Sequence, residues 1–218
     1  MKLKITFGFL ALAGTSFGAL VSLSSIGGNY NGTDDYGIVL TSGLPVAAGS
    51  GTARAGFFST LTDAQVLALA TAGNYTTLFA TGNFTTIASD NFTGVITAYG
   101  ATAGMVVGST TGYNAAGLNN TLYAYITSGT QLGLFKTTST IVPDAGGATP
   151  ETNYLLDFAN GTKIIGTTGP SYVVNPYQGV AGNVTITHSF QLVDPIPEPS
   201  AALLGALGVL GLLRRRRI

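Results

Sequence analysis

Short runs of β-branched and aromatic residues, each closed by Gly, Asn or Pro, set the fold class of this chain. They are Tyr36–Leu40, Ala53–Thr60, Phe92–Tyr99, Thr121–Thr127, Gln131–Lys136, Tyr154–Phe158, Ser171–Val174 and Asn183–Val193. Such side chains fit a pleated, half-buried surface, and the closing residues punctuate it with turns. Two runs alternate cleanly, Thr121-Leu122-Tyr123-Ala124-Tyr125-Ile126-Thr127 and Val184 to Leu192, so each presents one residue set to each face of a sheet. Thr127-Ser128-Gly129-Thr130 reads as the hairpin turn from the first of these into Gln131–Lys136. One helix is signposted. Thr62 and Gln65 fit a capping box, Leu61 and Val66 a hydrophobic staple, and Gly73 the stop. The expectation is an all-β passenger, a single antiparallel β-sandwich of jelly-roll type with one short helix capping an end or bridging sheets.

Asn74-Tyr75-Thr76-Thr77, Asn83-Phe84-Thr85-Thr86 and Asn91-Phe92-Thr93-Gly94 recur every eight or nine residues. That spacing suits a β-meander with Asn in the turn, the aromatic ring inward and threonines on the strand. Each copy is also an Asn-x-Thr sequon. The chain has seven, at Asn31, Asn74, Asn83, Asn91, Asn119, Asn160 and Asn183. Asn74, Asn83 and Asn91 are therefore candidate glycan acceptors. Turn asparagines followed by strand threonines generate the same pattern for purely structural reasons, and that reading is preferred.

The two ends of the chain differ from its middle. Met1-Lys2-Leu3-Lys4 is a basic n-region, Ile5–Ala13 an apolar h-region, and Ser16-Phe17-Gly18 places small residues for cleavage between Gly18 and Ala19. Residues 1–18 are thus expected to be a secretory signal peptide. At the other end, Pro195, Pro197 and Pro199 bias their neighbours toward extended backbone. The uncharged run Ala201–Leu213 follows, and then Arg214, Arg215, Arg216 and Arg217. Thirteen residues make a helix of about 20 Å, short of the roughly 30 Å of a bilayer core, although arginine stems can snorkel. Such a segment is a transient membrane helix with a basic cytoplasmic stop. An amphipathic surface helix would need a polar face, and Ala201–Leu213 offers only glycines among its apolar residues.

Pro197-Glu198-Pro199, the apolar stretch and the arginine cluster together resemble the PEP-CTERM sorting signal of Gram-negative bacteria. The resemblance covers residues 195–218, about a tenth of the chain. It implies recognition and removal of the tail by exosortase, an integral-membrane cysteine protease or transpeptidase. It also implies an exported protein of the cell surface or matrix, often made alongside exopolysaccharide. The order Ala53–Thr60, Leu61–Ala72, Thr121–Lys136 also resembles passengers found with such tails, and brings no assigned activity. The expected organisation is residues 1–18 signal, 19–194 passenger and 195–218 sorting segment.

The formal net charge of zero belongs to the ends. Between Ala19 and Val193 there are seven acids against three bases, Arg54, Lys136 and Lys163, a net of −4. A charge-poor acidic domain lacks the basic patch that nucleic-acid binding requires. With no cysteine, stability must come from burial, and thiol nucleophiles and Cys-type zinc sites are excluded.

Catalytic motifs are sparse, and no cofactor is expected. His188 is the one histidine; it sits mid-strand, with no Gly-x-Ser-x-Gly elbow in the chain to accompany it. Asp34-Asp35 lacks the spaced acidic loop of a calcium site and reads as turn chemistry. Gly49-Ser50-Gly51 lacks the lysine of a phosphate loop. Two readings of the passenger follow. The first is a non-catalytic structural or interaction protein of surface or matrix, with exosortase, the membrane and exopolysaccharide as partners. The second is a secreted carbohydrate-binding module or glycosidase, which would need a tyrosine-lined groove and, for hydrolysis, two carboxylates about 5–10 Å apart.

Overall fold

The computed structural model describes residues 20–25, 35–93, 103–111, 117, 119–141, 150–174 and 183–195. Strands dominate it, and the all-β class stands. The largest sheet has five antiparallel strands: β3 (Gly51–Phe58), β4 (Phe84–Asp90), β6 (Thr121–Ser128), β7 (Gln131–Thr140) and β9 (Thr162–Ile165), in the order β4-β3-β6-β7-β9. The turn between β6 and β7 is closed by Gly129 at φ 57°, a left-handed position that glycine occupies without penalty.

Alternation along these strands divides the sheet into two buried faces. Ala53, Ala55 and Phe57 of β3, Leu122, Ala124 and Ile126 of β6, and Phe135 of β7 enter one apolar cluster. Phe58, Tyr123, Leu132 and Leu134 enter another on the opposite face. β4 carries a bulge where Ala55 pairs with Ala88 and the next pair is Gly56 with Thr86, which leaves Ile87 as the extra residue. Ile87 and Ala88, adjacent in sequence, therefore both reach the first cluster. Gly56 lies so close to the Thr85 carbonyl that a Cβ there would collide with backbone.

The second face is covered by two helices. α1 (Asp63–Thr71) starts from the capping box: Thr62 accepts from the Gln65 backbone, and the Gln65 side chain accepts from the Thr62 backbone at 2.9 Å. Val66 and Ala70 are its buried residues, and Gly73 at φ 72° follows its C-cap. α2 (Tyr75–Leu78) was not expected. Asn74 caps it by accepting from Thr77 N–H at 3.2 Å, so the first Asn-aromatic-Thr copy is helical. The second copy opens β4. In the third, Phe92 is fully buried in the first cluster at φ 59°, outside any strand. The meander reading of this repeat is therefore corrected, because the three copies take three different backbone conformations. The expected Phe92–Tyr99 strand fails at Phe92, and its remainder from residue 94 lies outside the described residues.

The first face packs against residues of another sheet. β2 (Tyr36–Val39), β10 (Thr167–Gly169) and β13 (His188–Gln191) pair in the order β10-β13-β2. Ile38 and Phe190 join the first cluster, while Val39 joins a smaller one with Met105, Tyr172, Val174, Val184 and Ile186. The last four belong to a two-stranded ladder, β11 (Tyr172–Val174) with β12 (Val184–Ile186). A third sheet places β1 (Leu20–Ser24) between β5 (Val107–Thr111) and β8 (Pro150–Leu155).

Two pairings depart from the antiparallel expectation. β13 runs parallel to β2, and β8 parallel to β1. Parallel partners need a long crossover, and each pair is separated by most of the chain. The expected single run Asn183–Val193 is also divided. Thr187 and His188 are both exposed, so the alternation slips by one residue there, and Val184 and Ile186 enter a different cluster from Phe190 and Leu192. Past β13, an isolated bridge joins Val193 to Leu132.

Candidate functional site

The N-terminal turn of α1 meets β6 and β7 at a polar cleft of about 400 Å³, lined by Ser59, Thr60, Asp63, Asn119, Thr121 and Tyr123 among others. Asp63, exposed in its lining, accepts from the Tyr123 hydroxyl at 2.7 Å, from Thr121 Oγ1 at 3.2 Å and from Lys136 Nζ at 2.5 Å. The residues come from one helix and two strands. Asp63 is in the first turn of α1, where a carboxylate also suits the positive end of the helix dipole. Thr121 and Tyr123 lie two apart on β6, hence on one face, and Lys136 is the register partner of Tyr123 on β7.

Partial burial pushes the Asp63 carboxyl up, but the Lys136 and Tyr123 hydrogen bonds and the Lys136 charge outweigh it and hold the carboxyl below its ordinary value. Burial, reinforced by the Asp63 carboxylate, pushes the Tyr123 phenol up. A general acid or base works best with a pKa near the working pH, and both groups are driven away from it in opposite directions. The set is a clamp: it fixes the start of α1 to the five-stranded sheet.

A second depression of about 230 Å³ lies on the same sheet face, beyond α2. Phe79, just after α2, stacks on Tyr125 of β6 with centroids 4.0 Å apart and planes at 18°. Phe84 meets the same tyrosine edge-on at 6.0 Å. Arg54 of β3, the register partner of Tyr125, lies with its guanidinium carbon 5.8 Å from that ring's centroid. The lining includes no carboxylate. The notch therefore sets three partly buried aromatic rings beside a guanidinium, without the acid pair that hydrolysis needs.

The residues singled out from the sequence are scattered. His188 is exposed on β13, beside Thr187 Oγ1 at 3.1 Å and the Tyr36 ring at 6.0 Å. Asp35, read as a turn residue, is fully buried at the start of β2, and its charge adds to the burial that raises the Tyr172 phenol. Asn83 donates Nδ2 to the Thr77 carbonyl at 2.7 Å and accepts from Thr60 at 2.5 Å; Asn91 accepts from Thr52 at 3.0 Å. With Asn74 capping α2, the three candidate acceptors Asn74, Asn83 and Asn91 all hold local backbone or side-chain contacts. Gly18, Ala19, Pro197, Glu198, Pro199, Ala201, Leu213 and Arg214–Arg217 lie outside the described residues. Among the described residues, no helix is long and apolar enough to cross a membrane, and no group of three or more His, Cys, Asp or Glu could hold a metal ion.

Sequence reasoning missed both the clamp and the notch. Their members are far apart in the chain, and only strand register assembles them; the capping box at Thr62 was the one local sign that the region is built with care. Comparison of the chain with protein-family models, with curated proteins and with solved structures finds no match.

Proposed function

We propose that this is an exported, non-catalytic structural or interaction protein of the cell surface or extracellular matrix, delivered by a secretory signal and sorted by exosortase at its tail. The observation that carries the reading is the ordered tail itself: Pro197-Glu198-Pro199, the short apolar run Ala201–Leu213, and Arg214–Arg217. The passenger we assign to residues 19–194, as a sandwich in which the five-stranded sheet and the β10-β13-β2 sheet face one another across the Phe57, Phe135, Phe158 and Phe190 cluster. One local feature supports the C-terminal limit: the Val193 bridge to Leu132 closes two residues before Pro195. The clamped, ionised state of Asp63 supports a structural role over a catalytic one.

Deleting residues 195–218 tests the sorting reading. The truncated chain is expected to lose its surface or matrix location and to appear as free exported protein, scored by fractionating native cells. An unchanged location would remove the tail from the account.

A further inference from the structure

The notch beside α2 joins three aromatic rings to a guanidinium. The passenger carries three bases. Lys136 is neutralised by Asp63, and Lys163 donates to the Phe158 carbonyl at 2.8 Å. Arg54 has no carboxylate within salt-bridge distance among the described residues. Instead it borders a stacked aromatic pair, with Thr81 and Thr86 exposed on the rim. Residues 19–194, with eight acids against three bases and a net charge of −5, thus place at an aromatic depression a guanidinium that no described carboxylate pairs.

From this juxtaposition we infer that the notch binds a uronic-acid residue of an acidic saccharide, the sugar ring on the Phe79–Tyr125–Phe84 surface and its carboxylate on Arg54. The apolar C–H face of a pyranose suits an aromatic wall, and a planar guanidinium takes a carboxylate through two parallel hydrogen bonds. The threonine hydroxyls at the rim match sugar hydroxyls. The volume of about 230 Å³ is below the roughly 300 Å³ at which drug-sized pockets begin, so it suits one ring of a chain that continues across the surface. A neutral sugar would use the rings and leave Arg54 unpaired. A small carboxylate would use Arg54 and leave the rings bare. Only the two features together define the ligand.

The inference rests on the surface or matrix reading for access to such a polymer, but its test is separate. Full-length chain in detergent micelles is titrated calorimetrically with tri-galacturonate, with its fully methyl-esterified form, and with acetate. Tri-galacturonate is expected to bind about tenfold tighter than the ester, a preference that falls as salt rises. Arg54→Gln is expected to erase that preference, Arg54→Lys to restore part of it, and Tyr125→Leu to weaken both saccharides; circular dichroism checks that each variant is folded. Equal binding of acid and ester, a preference surviving in Arg54→Gln, competition by acetate at the same concentration, or no saccharide binding would each overturn the assignment. None of these outcomes bears on sorting, which the tail deletion decides.

Discussion

Phe135→Ala is expected to cost about 3–5 kcal/mol of folding stability, the usual range for removing a fully buried ring. Phe135 is completely buried on β7, on the face that packs against β2 and β13. Its ring meets Phe158 edge-on at 4.9 Å and Phe190 at 6.0 Å, and those two stack at 5.2 Å. The three rings come from three separate parts of the chain, so they join elements that no hairpin connects. The surroundings are also built around them. A Cβ at Gly161 would collide with Phe135, and one at Gly133 with Phe190, so the backbone lies directly against both rings. With no disulfide to limit the unfolded chain, and total stability of a domain typically about 5–15 kcal/mol, this one truncation should bring the fold close to its midpoint in mild denaturant. Urea titration followed by circular dichroism measures it. A loss under about 1 kcal/mol would mean that the cavity collapses and that these rings do not join the layers.

Stability is expected to be nearly flat from about pH 5 to 9 and to fall steeply above about pH 10. Three phenols, Tyr123, Tyr125 and Tyr172, are pushed above their ordinary value of 10, in each case chiefly by burial. A raised value in the folded state means that the unfolded chain loses its proton first. The contribution is therefore complete below pH 10 and is lost as pH rises above it. Each such phenol adds a slope of about 1.4 kcal/mol per pH unit until its folded form also ionises. Tyr123 and Tyr172 are buried and should each give the full slope; half-buried Tyr125 should give less. The acid side runs the other way. Asp63 and Asp157 are held below their ordinary value of 3.8 by hydrogen bonds that outweigh burial, so their contribution is present above that value and fades as pH falls below it. Asp63 is about half exposed, and solvent screening keeps that effect small. Thermal melts across pH provide the check, with Tyr172→Phe expected to remove about one phenol's share of the alkaline slope. A sharp transition near neutrality would contradict this picture.

The sequence was most legible where structure is local. The capping box at Thr62 and Gln65, the Gly129 hairpin and the alternating β6 run depend only on near neighbours, and all three appear as expected. It was least legible where one pattern serves several backbones. The Asn-aromatic-Thr repeat caps a helix at Asn74, opens a strand at Asn83 and forms a buried left-handed position at Phe92, since Asn and Thr satisfy a cap, a strand edge or a turn equally well. Strand direction was also hidden, because nothing in β2 or β13 separately records that they pair in parallel. β1, β5 and β10 went unrecognised, being short and rich in Ser, Thr or Gly, and β9 (Thr-Lys-Ile-Ile) because it is only four residues long. The burial of Asp35 had no local sign, since Asp34-Asp35 reads as solvated turn chemistry. Arg54 looked like an ordinary strand charge until register placed it opposite Tyr125.

The mass of the intact protein isolated from its native cells decides whether the tail is a sorting signal. A mature chain is expected that begins at Ala19 and has lost its C-terminal segment at or near Pro197-Glu198-Pro199, with any attached sugar visible as added mass. A mature protein that still carries residues 200–218 would show the segment to be a permanent part of the molecule and would overturn the sorting reading.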